Sequence, residues 1–238
     1  MPKVHTHWKV LPHGALTDVD EDVLTVTGEL RMPLGSFPRR MVVVRVPDGR
    51  LVIWSAIALD PAGMDKIEAY GRPTFLIVPN EMHRLDALAW KERYPQLTVV
   101  APPGARAKVG EVVLVDTATP DFADADITFV TVPGTDQRES ALVVRKPGGT
   151  TLVVNDIVGN IRDASGISGW FLRLAGFAGD APRVPRVVKR KLVADADALR
   201  VQLMRWAELP NLRRILVSHG EPIERDAPVV LRGLAHSL

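Results

Sequence analysis

The sequence predicts an α+β fold: an αββα sandwich of two mixed, mostly antiparallel sheets with helices on the outside. Three observations predict it. β-Branched runs near the start are joined by a hairpin signal. A central stretch then alternates strand and helix, and further hairpins follow before two helices flank a last strand.

The first strands are "VLTVTGEL" (Val23–Leu30), "MVVVRVP" (Met41–Pro47) and "RLVIWSAI" (Arg50–Ile57). Asp48-Gly49 between the last two is the dipeptide that reverses a chain most readily, so an antiparallel hairpin is expected there. Next come a short helix around Gly63–Tyr70, a strand at Thr74–Val78, a helix around Arg84–Tyr94 and a strand at Leu97–Ala101. Four further strands are expected at Val112–Asp116, Ile127–Val132, Ser140–Arg145 and Thr150–Asn155, with "KPGGT" turning the chain between the last two. Beyond Ile161, "ISGWFLRLAGFAG" reads as a helix or lid and "PRVPRVVKRK" as a basic, proline-broken connector. Val193–Leu209 reads as a helix, Leu212–Val217 as a strand and Val229–Leu238 as a closing helix. No repeat or boundary divides the chain, so residues 1–238 are expected to form one domain.

Composition removes several functions. The chain has 238 residues, 46% of them hydrophobic, enough for a substantial core. Lys and Arg number 30 against 28 Asp and Glu, so the formal charge of +2 gives no argument for nucleic acid. With no cysteine there is no thiolate nucleophile and no cysteine-held metal. "MPKVHTHWKVLPHG" lacks a signal-like apolar core, and no run approaches the roughly eighteen apolar residues of a membrane span. A cytoplasmic protein that engages neither membrane nor nucleic acid is expected, with a homodimer left open.

Polar residues that follow apolar strands are where chemistry can gather. They are Asn80–Asp86 after "FLIV", Asn155-Asp156 after "TLVV" and Ser218-His219-Gly220 after "RILV", beside "VPGTD" (Val132–Asp136) and "WSAIALD" (Trp54–Asp60). The bland alternatives are a helix start for Glu81, His83 and Arg84, a cap or turn for Asp156, and a strand-end hydrogen bond for His219. His5 and His7 have ligand-like spacing but sit near a chain end, where incidental affinity is the simpler reading. Trp170, Phe171, Leu174 and Phe177 read as packing or pocket lining. Arg183, Arg186, Lys189, Arg190 and Lys191 read as a solvated connector.

This order of features, with "VPG", "VVND" and "VSHG", resembles the metallo-β-lactamase-fold superfamily from about Val23 onward. "RRMVVVRVPDGRLVIWSAIALD", "VPNEMHRLDALAWKERYP", "VVAPPGARAKV" and "LVVNDIVGN" resemble a branch of it with a degenerate metal-binding motif. The superfamily's His-x-His-x-Asp-His motif falls on Asn80, Met82, Arg84 and Leu85, none of them a good zinc ligand. A register one residue later meets Glu81, His83, Leu85 and Asp86. Thr135 stands at the histidine after the Pro-Gly turn, and "WSA" (Trp54–Ala56) replaces "DTG". Asp156 matches the bridging carboxylate and His219 the late histidine.

The resemblance therefore implies His83, Asp156 and His219 as metal ligands, with Asp156 and His219 catalytic. Arg84, Thr135 and Asn80 would be ligand-binding. One zinc, iron or manganese ion is expected, or none: three ligands suffice for one metal, while two metals need more. Two functions stay open. One is a mononuclear hydrolase of an ester- or lactone-type bond; the other is a non-catalytic module for a small anionic ligand or a protein partner, with Arg84 supplying the charge and pairing with Asp156 or the anion.

Overall fold

β-Branched runs become strands, and the short polar turns between them set the order of the first sheet. The computed structural model describes residues 4–32, 35–162 and 166–238. Met1–Lys3 of the N-terminal stretch lie outside the described residues. Six strands, β1 (Thr17–Asp20), β2 (Val23–Met32), β3 (Gly35–Arg45), β4 (Arg50–Trp54), β5 (Arg72–Ile77) and β6 (Thr98–Val100), line up in sequence order. β1–β2 and β3–β4 pair antiparallel. At the β3–β4 reversal Gly49 takes a φ of 77°, which glycine adopts without steric cost. β4–β5 and β5–β6 pair parallel, and each parallel step needs a crossover helix. These are α1 (Pro61–Tyr70) and α2 (Ala87–Arg93), with α3 (Arg106–Gly110) following β6. Asp60 caps α1 by accepting from the Gly63 N–H, and Pro61 fits the first turn because that position needs no N–H.

The second sheet has the order β10 (Leu212–Gly220), β9 (Gly149–Asn160), β8 (Ser140–Lys146), β7 (Ile127–Thr131). β7–β8 and β8–β9 pair antiparallel, and β9–β10 is parallel. Its helices are α4 (Gly166–Ala175), α5 (Arg186–Lys191), α6 (Ala196–Ala207) and α7 (Ala227–His236). α7 packs on α6 and on β10.

Two mixed sheets with helices give the α+β class expected. They divide into two compact units, Met1–Leu30 with Arg39–Ala125, and Arg31–Pro38 with Asp126–Leu238. Each unit has its own apolar core. Leu24, Met41, Ile53, Met64, Ile67, Leu76 and Trp90 fill the first; Val143, Leu152, Val154, Leu199, Leu203, Ile215 and Leu231 fill the second.

Several elements differ from the sequence reading. Val112–Asp116 is not a strand. Val113 and Val115 are buried in the first core, but the chain meets the edge of β6 only at its end, in an isolated bridge of Val100 with Thr117, and the Val99 N–H goes to the Asp116 carboxylate at 2.7 Å, so no ladder forms over Val112–Asp116 among the described residues. The basic connector contains α5, started by Pro185 at its N-terminal boundary. β1 was not expected. α2 begins at Ala87, leaving Asn80–Asp86 in turns. β9 and β10 run on to Asn160 and Gly220, so Asp156 and His219 lie in strands and not in the loops beyond them. Among the described residues no helix is long and apolar enough to cross a membrane.

Candidate functional site

In the first unit the chain leaves β5 still bonded to its neighbour, Val78 N–H donating to Val100 O at 2.8 Å. Asn80 then makes a tight turn, its Oδ1 accepting from the Met82 N–H at 2.8 Å and its backbone O from the His83 N–H at 3.3 Å. His83 is thereby held half-buried rather than on a helix face. Its Nδ1 lies 2.9 Å from Ser55 Oγ. Ser55 follows β4 directly, is buried, and takes a φ of 53°. Its N–H donates to Ile77 O at 3.0 Å.

The other candidates on this loop are engaged nearby. Arg84 Nη1 donates to Glu111 Oε2 at 3.0 Å and also to Lys108 O. Lys108 and then Arg84 hold the Glu111 carboxyl below its usual range. Arg84 thus has an ion pair with Glu111. The Asp86 side chain is fully buried, with Oδ2 accepting from Arg39 Nη1 at 2.5 Å and Oδ1 2.7 Å from His5 Nδ1. His5 also donates its N–H to Leu85 O at 2.9 Å. The N-terminal histidine is therefore built into the fold, which the i,i+2 spacing alone did not reveal.

In the second unit the register of β9 against β10 slips. Val154 pairs with Val217, and the next pair is Gly159 with His219. Asn155–Val158 therefore face Ser218 alone, so β9 bows out of the ladder where it carries Asp156. His219 Nε2 lies 2.8 Å from Asp156 Oδ1, and its Nδ1 lies 2.7 Å from Pro38 O. A carbonyl oxygen only accepts, so Nδ1 carries the hydrogen and Nε2 is the atom turned to the carboxylate. Two such atoms at 2.8 Å need a positive charge between them, either a proton or a cation.

The surroundings keep this pair in place. The His219 ring lies tilted on Phe37, centroids 4.3 Å apart, and edge-on to Phe177 at 5.8 Å. The Asp156 N–H donates to Oε1 of fully buried Glu139 at 2.9 Å. Ser218 Oγ bonds Asn155 Oδ1. Thr135 is fully buried, and its hydroxyl donates to Val132 O at 2.8 Å. Trp170 and Leu174 are 59% and 56% exposed, so most of the aromatic segment faces solvent, while Phe177 lies against His219. Ser55, Glu139, Phe37 and the Pro38 carbonyl escaped the sequence reading. Only Ser55 lay in a stretch that it had marked.

No family model matches the sequence, and no curated protein is similar to it in sequence. Solved structures are. A metallo-β-lactamase from Pseudomonas aeruginosa in a mono-zinc form is 14% identical, with a TM-score of 0.62 over 96% of this chain and 97% of that one. A metallo-β-lactamase from Hirschia baltica is 11% identical, with a TM-score of 0.61 over 94% and 98%. One from Erythrobacter litoralis is 16% identical, with a TM-score of 0.60 over 97% and 96%. Nearly the whole chain is covered each time, and it has the metallo-β-lactamase fold.

Proposed function

We propose that the chain is a mononuclear metal-dependent hydrolase of an ester- or lactone-type bond in a small molecule, with His83, Asp156 and His219 holding one zinc, iron or manganese ion. The observation that carries this reading is that two of the three residues, Asp156 and His219, already face each other in the second unit, with Oδ1 2.8 Å from Nε2. The donor set suits the group: two imidazoles and one carboxylate are a common catalytic set, with the remaining position left for water or substrate. One of the similar structures is a mono-zinc form. A bound ion would supply Lewis acidity and lower the pKa of its water toward neutrality.

The chain's own residues do the rest. His219 is oriented by the Pro38 carbonyl and shielded on its faces by Phe37 and Phe177. Glu139 fixes the bowed stretch of β9 by accepting the Asp156 N–H. Asp156 and His219, already in contact, are the pair that would hold the ion and through it act in hydrolysis. Asn80, Arg84 and Thr135 are the ligand-binding residues in this reading, each already engaged in its own loop.

Metal analysis of protein purified without a tag tests the reading. About one equivalent of metal is expected, lost in His219→Ala while the circular dichroism spectrum is kept. A metal-free protein whose unfolding midpoint ignores chelator would overturn it and leave the binding module for an anionic ligand.

A further inference from the structure

We propose that Ser55 is a positioning residue that sets the tautomer of His83. The inference rests on the metal reading above, and it concerns how the imidazole is presented. Ser55 Oγ lies 2.9 Å from His83 Nδ1. If that oxygen accepts the Nδ1 hydrogen, the lone pair of the ring sits on Nε2, the nitrogen that then serves as ligand. His219 is arranged the same way, with Nδ1 held by the Pro38 carbonyl and Nε2 turned to Asp156. Both histidines use Nδ1 for the scaffold. Such outer partners fix ring orientation and typically change metal affinity 10–100-fold, an order-of-magnitude range.

The backbone supports the assignment. A serine at φ 53° is uncommon and costs conformational energy, and such outliers persist where the surroundings fix them. Here the Ser55 N–H is tied to Ile77 O, at the end of the strand that leads into the His83 turn. The hydroxyl is buried with it. A glycine would suit that φ better, so the serine is present for its oxygen.

The test uses Ser55→Gly and Ser55→Ala beside the unaltered protein. Two-bond proton–nitrogen spectra of the metal-free protein are expected to show His83 with its hydrogen on Nδ1, and both variants to shift it toward Nε2. Competition with a chelator is expected to show cobalt or zinc bound about 10–100-fold more weakly in both, still at one equivalent. Ser55→Gly is expected to keep or raise the unfolding midpoint, so weaker binding there cannot be put down to a loosened fold. If His83 carries its hydrogen on Nε2 in the unaltered protein, or both variants bind metal as it does, the proposal falls. If instead His219→Ala leaves metal binding intact, the metal reading falls, while the His83 spectra still decide the tautomer.

Discussion

The two tyrosines of the chain, Tyr70 and Tyr94, both carry pKa values pushed up to about 12. Burial is the main cause at each, and at Tyr94 the hydroxyl also donates to Glu68 Oε1 at 2.6 Å, which favours the neutral phenol further. In the unfolded chain a tyrosine ionises near 10, roughly the free value. The folded state therefore prefers the protonated form, and the stability this provides is complete below about pH 10 and is lost as pH rises toward 12. Absorbance near 295 nm should stay flat in native protein through the range where urea-unfolded protein titrates. Phenolate appearing near pH 10 in the native protein would contradict it. Residues of this kind show how far single letters can be read. Asp156 and His219 were legible because "VVND" and "VSHG" carry them in a recognisable frame. Ser55 and Glu139 were not, because the importance of one lies in its φ and of the other in a backbone N–H seventeen positions away.

At the scale of elements, the loop between β7 and β8 is locked to the start of α6. Gly134 O accepts from both the Ala194 and Asp195 N–H groups, at 2.8 and 3.1 Å, and Asp195 then caps α6 through the Asp197 and Ala198 N–H groups. Gly134 has a φ of 79°, and an added Cβ would meet Asp195 O at 2.2 Å. Gly134→Ala is expected to lower unfolding stability by about 2–3 kcal/mol, through both strain and clash. Gly110→Ala, whose Cβ would meet nothing within 4 Å, is the control and should stay within about 0.5 kcal/mol. Urea unfolding monitored by circular dichroism measures both. Strands joined by Asp48-Gly49 and "KPGGT" were legible because local turn chemistry fixes them. Val112–Asp116 misled because alternating valines mark burial, and burial alone does not supply a ladder partner. The ends of β9 and β10 were hidden because polar Asn155, Asp156, Ser218 and His219 read as loop, whereas a slipped register lets a strand carry them.

For the molecule as a whole, the fold class was legible, since strand and helix signals run along the sequence. The two compact units do not part at one point: β2 and β3 each give residues to both, with Arg31–Pro38 belonging to the second. A strand cannot unravel at one end without weakening its ladder, so the chain is expected to unfold in one transition. Trp8, Trp54 and Trp90 report on the first unit, and Trp170 and Trp206 on the second. Single-tryptophan variants should give coincident denaturation midpoints; two separated midpoints would show independent units.

The bond from His219 to Pro38 spans 181 positions. Such distant pairings close late because a long loop must be ordered first. On the ribosome, the ring that joins the two ends of the second unit cannot be seated until β10 has emerged. A nascent chain halted before Leu212 would hold Phe37 and Phe177 without the imidazole that packs against both, leaving apolar rings for chaperones to find.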